Sequence, residues 1–222
     1  MNTIYGLDPQ TQWQEILLIN ELNFAKQHNP EYYRWRLTNN YERAVFLKGD
    51  PVYPREATRY MWANRNLNGK KVLEVGCSTG YGCQFLPNDI DYLGLDYDHI
   101  IIDVAQDQQW GESIKFAWAD INEIHLSQFD TIIAFEVIEH LDNGIEIVEK
   151  LKKHCSRLLI TVPWNEPKGF WGEHHKLHGL NESHFNGFQF EYIDEHGKIS
   201  DKPQPIYEKN RFNLMIMRWD RG

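Results

Sequence analysis

The stretch Lys71–Gly82, KVLEVGCSTGYG, decides how this chain is interpreted. A short apolar run that carries Glu74 leads into three glycines, Gly76, Gly80 and Gly82. Such a run is typical of a buried parallel strand, and the glycines are typical of a tight turn from a strand into a helix. Because glycine accepts positive φ and lets a ligand approach the main chain, the stretch predicts a loop that holds a nucleoside-containing cofactor.

The composition indicates one globular domain with a full core and a terminal extension. The chain has 222 residues, 41% of them hydrophobic, and a formal net charge of −9. This charge argues against a nucleic-acid partner, because proteins that bind a phosphate backbone usually carry a basic footprint. A local basic patch could still act inside an acidic protein. No apolar run approaches the length of a membrane span, so we expect no membrane partner.

The cysteines and the N-terminus indicate a cytoplasmic protein. The three cysteines, Cys77, Cys83 and Cys155, are too few and too scattered for a disulfide framework, which predicts reduced thiols. The first ten residues, MNTIYGLDPQ, lack the basic region and the apolar core of a signal peptide. The sequence leaves the oligomeric state open.

Residues 1–68 contain no strand pattern and predict a helical extension. Helices are predicted from Asp8-Pro9, over residues 31–47 and over residues 54–66. These aromatic-rich helices either pack on the core or form a lid over a binding site. The catalytic core is then predicted over residues 69–222.

From Lys70 onward, short apolar runs alternate with helical segments. Strands are predicted over residues 71–75, 92–95, 115–117, 131–135 and 157–162, followed by two late strands over residues 188–193 and 212–219 that form an antiparallel hairpin at the sheet edge. A loop is predicted over residues 197–205. The alternation predicts an α/β fold with a doubly wound, mostly parallel seven-stranded sheet.

Acidic residues follow several of these strands. Asp96, Asp120 and Glu136 fall at strand ends, as does Gly76, and ligands of such sheets bind at the carboxyl ends of the strands. A carboxylate at Asp96 can accept hydrogen bonds from ribose hydroxyls, and one at Asp120 can meet an adenine amino group. Trp118, by contrast, is predicted to be a core residue.

The motifs KVLEVGCSTGYG, LGLDYD, WADI and FDTIIAFEVIEHL together resemble class I S-adenosylmethionine-dependent methyltransferases. The resemblance covers about residues 70–162 and implies that S-adenosylmethionine is the cofactor. It implies contacts to the methionine part from the glycine loop, to the ribose from Asp96, and to the adenine from Asp120 and Ile121. The implied cofactor residues are Glu74, Gly76, Cys77, Ser78, Gly80, Asp96, Tyr97, Asp120, Ile121 and Glu136. Ser78 stands where the family has the middle glycine of the loop.

Attack by a hydroxyl requires loss of its proton, so a base or a metal is expected. The helix after the fourth strand is predicted to begin near Glu136 or near Asp142. If it begins at Glu136, then Glu136, Glu139 and His140 share one face, which suits Mg²⁺ or Mn²⁺. Together with a later histidine, His175, this set is similar to the metal site of small-RNA 3′-end 2′-O-methyltransferases and of ubiquinone-pathway O-methyltransferases. A metal-free role for His140 as a base, or a structural role, remains open.

A histidine-rich segment follows the last parallel strand and contains His174, His175, His178 and His184. It is either a polar surface loop or a substrate wall, and we take His175 and His178 as candidate catalytic residues beside Glu136, Glu139 and His140. The sequence therefore predicts O-methylation of a small hydroxyl-bearing molecule, such as a sugar. A metal-dependent small-RNA 2′-O-methyltransferase is the first alternative, and a non-catalytic S-adenosylmethionine-binding protein is the second.

Overall fold

The structure is a computed structural model that describes residues 24–29, 31–33, 36, 45–204, 208 and 211–222. The chain divides into two compact units, Met1–Val45 and Phe46–Gly222. In the first unit, residues 24–28 and 31–33 are helical. The predicted helix from Asp8 and most of the one over residues 31–47 lie outside the described residues, so the extension or lid stays a prediction.

The second unit contains an eight-stranded mixed sheet with the order β3-β2-β1-β4-β5-β8-β6-β7. Strands β1 to β5 are parallel, while β8 is antiparallel to both β5 and β6. The strands are β1 Lys71–Val75, β2 Asp91–Asp96, β3 Ile114–Trp118, β4 Phe129–Phe135, β5 Cys155–Pro163, β6 Gln189–Ile193, β7 Ile199–Ser200 and β8 Leu214–Asp220. This confirms the doubly wound, mostly parallel sheet.

One detail of the sheet differs from the sequence prediction. The strand β7 has only two residues and lies inside the predicted loop, because a run this short leaves no readable alternation of apolar and polar residues. The late strands β6 and β8 are antiparallel neighbours at one end of the sheet, as expected, with β7 added outside β6.

Helices cover both faces of the sheet. They are α1 Pro54–Asn66, α2 His99–Asp107 and α3 Gly144–Lys152, with short 3-10 helices at Tyr81–Phe85, Ile138–His140 and Glu182–His184. The helix α1 has the predicted bounds and begins with a proline, which suits the first helical position. None of the helices among the described residues combines the length and apolarity needed to cross a bilayer.

Alternate side chains of the central strands enter two different cores. Leu73 and Leu158 contribute to a cluster that also contains residues of α3, while Val72 and Leu159 contribute to a cluster that contains residues of α1. This follows from the two-residue period of a strand, whose successive side chains point to opposite faces. The buried sheet is therefore a rigid base for the loops at its carboxyl edge.

The register of the strands brings the predicted site residues to one edge. Val75 pairs with Leu95 on one side and with Ala134 on the other. The residues that follow these strands consequently leave the sheet at the same level. The carboxyl edge of β1, β2 and β4 is where open α/β sheets bind their ligands.

Candidate active site

The loop after β1 alternates between ordinary and left-handed backbone. Gly76, Ser78 and Gly80 have φ values of 72°, 51° and 74°. The backbone N–H groups of Gly76 and Cys77 both donate to the Leu95 carbonyl, at 2.7 and 3.0 Å, which fixes the loop to the end of β2. Ser78 therefore adopts the conformation that glycine takes most easily. The serine keeps the shape of the loop.

Asp96 lies beside this loop at the end of β2. Its side chain is buried, with Oδ2 accepting a hydrogen bond from the Ser78 backbone N–H at 3.0 Å and Oδ1 accepting one from the Asp98 N–H at 3.1 Å. Each carboxylate oxygen can accept more than one hydrogen bond. The two backbone donors therefore fix the orientation of the carboxylate, and the ribose contact stays a prediction.

Two exposed aromatic side chains lie next to the acids at the ends of β2 and β3. Tyr97 is 70% exposed and Trp118 is 43% exposed, and the indole N–H of Trp118 donates to the Tyr97 carbonyl at 2.7 Å. Asp120 is exposed and accepts from the Asn122 backbone N–H at 2.8 Å, while Ile121 is buried. The prediction that Trp118 is a core residue is wrong, because β3 is an edge strand.

Glu74 is directed into the core beneath the glycine loop. Its carboxylate accepts hydrogen bonds from the hydroxyls of Tyr60, at 2.5 Å, and Tyr92. Burial raises the pKa of Glu74 to about 7, although the two tyrosine hydrogen bonds act in the opposite direction. A contact between this carboxylate and a cofactor stays a prediction, and the observed contacts give Glu74 a role in supporting the loop.

A second group of polar side chains gathers after β4. The potential ligand atoms of Glu139, His140 and His175 all lie within 4.8 Å of one another. Glu139 is buried, and neither of its carboxylate oxygens has a hydrogen-bond partner among the described residues. Burial first, and then the charges of Glu136 and Glu166, raise the pKa of Glu139 well above its usual value. A buried carboxylate of this kind requires a cation or a proton.

The two histidines of this cluster both bond to a neighbouring group through Nδ1. His140 Nδ1 donates to the His174 carbonyl at 3.2 Å, and His175 Nδ1 is bonded to the Glu166 carboxylate. In both rings Nε2 is then the nitrogen that can bind a metal. Burial, followed by the charges of His178 and His174, lowers the pKa of His175 to about 4, so its ring is neutral as a metal ligand must be.

Glu166 is a site residue that the sequence reasoning missed. It is only 2% exposed, and besides its bond to His175 its Oε1 lies 3.7 Å from His178 Nδ1. No motif or spacing distinguishes it from the other acids of the polar segment. The signal that reveals it is burial, which the sequence does not show. His178 approaches the group at Glu166, and its catalytic role stays a prediction.

The backbone that carries Glu136, Glu139 and His140 is not an α-helix. Glu136 has a φ of 55° and ends the strand, and only Ile138–His140 is helical, in a 3-10 turn. The helix after β4 begins at Gly144, close to the predicted alternative start at Asp142. The other predicted start, at Glu136, is wrong, so the three residues do not share one α-helical face. Instead, the backbone N–H groups of Lys176 and Leu177 donate to the Glu139 carbonyl, at 2.7 and 3.0 Å, which holds the histidine segment over the turn.

Glu136 stands apart from the three-residue cluster. Thr161 Oγ1 donates to its Oε1 at 2.8 Å, and the Glu136 backbone N–H donates to the Thr161 carbonyl at 3.0 Å. Burial raises the pKa of Glu136, while the positive charges of Arg59 and Arg55 act against that rise. Its role as a metal ligand or catalytic group stays a prediction.

Comparison with known proteins finds a methyltransferase domain in this chain. Residues 73–157 match the model of a methyltransferase domain. The chain is also 30% identical over 121 residues to a probable S-adenosylmethionine-dependent methyltransferase of Mycolicibacterium smegmatis, a match that covers 53% of this chain and 42% of that protein. The chain is thus similar to S-adenosylmethionine-dependent methyltransferases over its central part. A ubiquinone biosynthesis O-methyltransferase of Acinetobacter baylyi is 26% identical over 119 residues, which cover 49% of this chain and 48% of that relative.

Solved structures support the fold. The magnesium protoporphyrin IX methyltransferase of Synechocystis with bound S-adenosylhomocysteine aligns with a TM-score of 0.55 and 16% identity, over 93% of this chain and all of that one. The plantazolicin methyltransferase in complex with S-adenosylhomocysteine aligns with a TM-score of 0.54 and 14% identity, over 96% and 99% of the two chains. The chain spans less than half the length of the two curated relatives above.

The residues at this edge of the sheet fit S-adenosylmethionine, the cofactor that the sequence motifs imply. The left-handed loop after β1, the oriented carboxylate of Asp96 and the exposed rings of Tyr97 and Trp118 occur in succession along one edge of the sheet. A polar main chain, a ribose acceptor and an apolar platform are the three environments that a nucleoside with an amino-acid tail requires.

The cluster after β4 likewise fits a divalent cation. It supplies one carboxylate and two imidazoles, which is a donor set used for first-row transition metals, and its carboxylate oxygens have no other partner among the described residues. The bond from His175 to Glu166 is the outer contact that metal-binding histidines usually have.

Proposed function

We propose that this chain transfers the methyl group of S-adenosylmethionine to a hydroxyl oxygen of a small molecule, such as a sugar, with the help of a divalent cation. The observation that carries the proposal is the cluster of Glu139, His140 and His175, which stands at the same sheet edge as the glycine loop. The similarity of the chain to a ubiquinone biosynthesis O-methyltransferase supports oxygen as the acceptor atom.

The residues of the chain would act mainly by positioning the cofactor. Methyl transfer from a sulfonium is an in-line displacement, whose rate depends on alignment more than on acid–base strength. The fixed carboxylate of Asp96 would orient the ribose, and the backbone of the loop would orient the methionine part. Tyr97 and Trp118 would flank the adenine. These contacts leave only the methyl group and the acceptor to be aligned.

The acceptor hydroxyl must lose its proton as it attacks, and the cluster after β4 would promote this loss. A divalent cation held by Glu139, His140 and His175 would lower the pKa of that hydroxyl. The two imidazoles favour Mn²⁺ over Mg²⁺, which prefers oxygen ligands. Glu166 would keep the His175 ring in the tautomer that leaves Nε2 for the cation.

A methyl-transfer assay tests this proposal directly. The full chain is incubated with S-adenosylmethionine that is labelled on its methyl group and with a metabolite extract or, separately, a small-RNA pool. We expect label in the metabolite fraction, loss of transfer in excess chelator, and recovery when Mn²⁺ is added in excess over the chelator. Full transfer in excess chelator would exclude the cation and favour His140 as a base.

The same assay separates the alternatives. Label that enters only the RNA pool would support the small-RNA 2′-O-methyltransferase, against which the net charge of −9 stands. Binding of the cofactor with no transfer to either fraction would support a non-catalytic cofactor-binding protein.

A further inference from the structure

The half-buried ring of Trp171 lies next to the proposed metal cluster. The centre of this ring is 6.4 Å from the centre of the His175 ring and 5.7 Å from that of Phe212, which is buried. The ring of Phe170 packs edge-on against Trp171, with 5.1 Å between their centres. Phe170, Trp171 and Phe212 therefore form an aromatic wall that extends as far as the histidine of the cluster.

The indole N–H of Trp171 has no hydrogen-bond partner among the described residues, and it is not sealed from solvent. Trp62 and Trp164, by contrast, donate to carboxylates, to Glu191 Oε2 at 2.7 Å and to Glu182 Oε1 at 3.2 Å. A tryptophan that packs against apolar groups usually finds an acceptor for its N–H. Trp171 therefore offers a flat apolar surface and a hydrogen-bond donor that the chain itself does not use.

The position of Trp171 is fixed by the histidine-rich segment that carries it. A backbone hydrogen bond from the Asn165 N–H to the Leu180 carbonyl, at 2.7 Å, closes this segment at its base. The backbone N–H of Trp171 interacts with the Glu166 carboxylate, which in turn is bonded to His175. The indole and the His175 ring are thus held in one arrangement, as in a binding site that is largely formed before its ligand arrives.

The surroundings of Trp171 favour a polar ring molecule as the ligand. Lys168, Glu173 and His174 of the same segment are polar and exposed. Sites for small molecules combine an aromatic lining with a few polar groups that fix the orientation of the ligand. A ring that carries hydroxyl groups meets both conditions, because its flat face can cover the indole while its oxygens accept hydrogen bonds.

We propose that Trp171 binds the acceptor by stacking on the ring that carries its hydroxyl group, with the indole N–H donating to an oxygen of the acceptor. The acceptor class is a hydroxylated ring, which either a sugar or a phenol supplies. The inference rests on the proposed function, which places a cation beside His175. It adds that a second contact, to the ring, decides which hydroxyl is aligned with the methyl group.

The test measures the binding of simple ring probes by saturation-transfer difference NMR. The probes are the methyl pyranosides of glucose, galactose and mannose, each alone, and 4-methoxyphenol. They are titrated into the full chain saturated with S-adenosylhomocysteine and with Zn²⁺, which is diamagnetic and binds the ligand types of the cluster. The chains are the wild type, Trp171→Ala and Trp171→Phe. Trp219→Phe is the matched control, because Trp219 is also half-buried but pairs with Leu158 near the start of β5.

We expect at least one probe to bind the wild type and its dissociation constant to rise by at least about tenfold in Trp171→Ala, which loses both the stacking contact and the hydrogen bond. Trp171→Phe keeps a ring but lacks the donor, so the rise should be about threefold. Trp219→Phe should bind the probe like the wild type. A sugar source predicts binding of a pyranoside, and a phenol source predicts binding of 4-methoxyphenol. Unchanged affinity for S-adenosylhomocysteine shows that the variants are folded.

The proposal is overturned if no probe binds the wild type, or if the probes bind the wild type and both Trp171 variants with equal affinity. Failure of the proposed function gives a different result, in which S-adenosylhomocysteine does not bind the wild-type chain.

Discussion

The Glu166 carboxylate holds the His175 ring by a hydrogen bond to Nδ1 in a buried part of the site. Because outer partners of this kind orient metal-binding histidines, we expect Glu166→Ala to weaken Mn²⁺ binding by about 10–100-fold. Glu166→Gln, which can still accept the hydrogen bond, should retain more of the affinity. Electron paramagnetic resonance of free Mn²⁺ measures both.

The matched control for this prediction is Glu173→Ala, because Glu173 is an exposed acid of the same segment. Its Mn²⁺ affinity should equal that of the wild type. If Glu166→Ala also binds Mn²⁺ like the wild type, Glu166 does not position a ligand.

Glu74 makes the stability of the fold depend on pH. Its pKa in the folded protein, about 7, lies above the ordinary value of 4.5 because the carboxyl is buried. The folded state therefore binds this proton more tightly than the unfolded state. That contribution to stability is complete below pH 4.5 and is lost as the pH rises through about 7.

We expect Glu74→Gln to remove this dependence. Between about pH 5 and about pH 8, the free energy of unfolding should fall by about 2–3 kcal/mol less in the variant than in the wild type. Chemical denaturation at several pH values measures the difference, with Glu146→Gln, exposed on α3, as the control. Parallel pH profiles for the wild type and Glu74→Gln would show that Glu74 does not titrate in this way.

Single residues were predictable from the sequence where their position followed from the strands. Asp96 ends β2 and Asp120 follows β3. Both positions were predictable because each acid interrupts the apolar run that marks its strand. Trp118 was not predictable, since only the strand order shows that β3 lies at an edge. Glu166 was not predictable either, because its burial depends on the segment that covers it.

The loop between β1 and the 3-10 helix depends on close packing as well as on glycine conformation. A Cβ at Gly76 would lie 2.3 Å from a methyl carbon of Val137, whereas a Cβ at Gly169 would meet no atom of the described structure within 4 Å. Their φ values of 72° and 78° are nearly equal. An alanine at either position would therefore have the same backbone strain, but only an alanine at Gly76 would also clash with Val137.

We expect Gly169→Ala to lower the free energy of unfolding by about 1 kcal/mol, which is the cost of a left-handed alanine. Gly76→Ala should lower it by about 1–3 kcal/mol more, because Val137 must move. Urea denaturation compares the two variants. Equal losses would indicate that the loop accommodates the methyl group without a packing cost.

Helix bounds that depend on neighbouring residues in the sequence were predictable, whereas bounds that depend on contacts with distant strands were not. The bounds of α1 were predictable because Pro54 marks its start and the apolar spacing continues to its end. The sequence does not decide between Glu136 and Asp142 as the start of the helix after β4. The helix begins at Gly144, because a positive φ at Glu136 turns the chain out of helical geometry. That turn arises from hydrogen bonds to Thr161 on the neighbouring strand, which no local pattern shows.

For the whole molecule, a cation bound by the proposed cluster of Glu139, His140 and His175 would couple binding to folding. A ligand that binds the folded chain alone stabilises it by about 2.7 kcal/mol at a hundred times its dissociation constant. We therefore expect Mn²⁺ to raise the thermal midpoint of the wild type and to leave that of Glu139→Gln unchanged. Thermal unfolding with and without Mn²⁺ measures this, and Glu173→Gln serves as a control that should respond like the wild type. An equal response in Glu139→Gln would place the cation elsewhere.

The central claim is that the carboxyl edge of the sheet binds S-adenosylmethionine through Asp96. Calorimetric titration of S-adenosylhomocysteine into the full chain and into Asp96→Ala tests it most directly. We expect one-to-one binding to the wild type and a loss of about 1–3 kcal/mol in the variant, the scale of hydrogen bonds to a charged group. No binding to the wild type, or equal affinity in Asp96→Ala, would contradict the account.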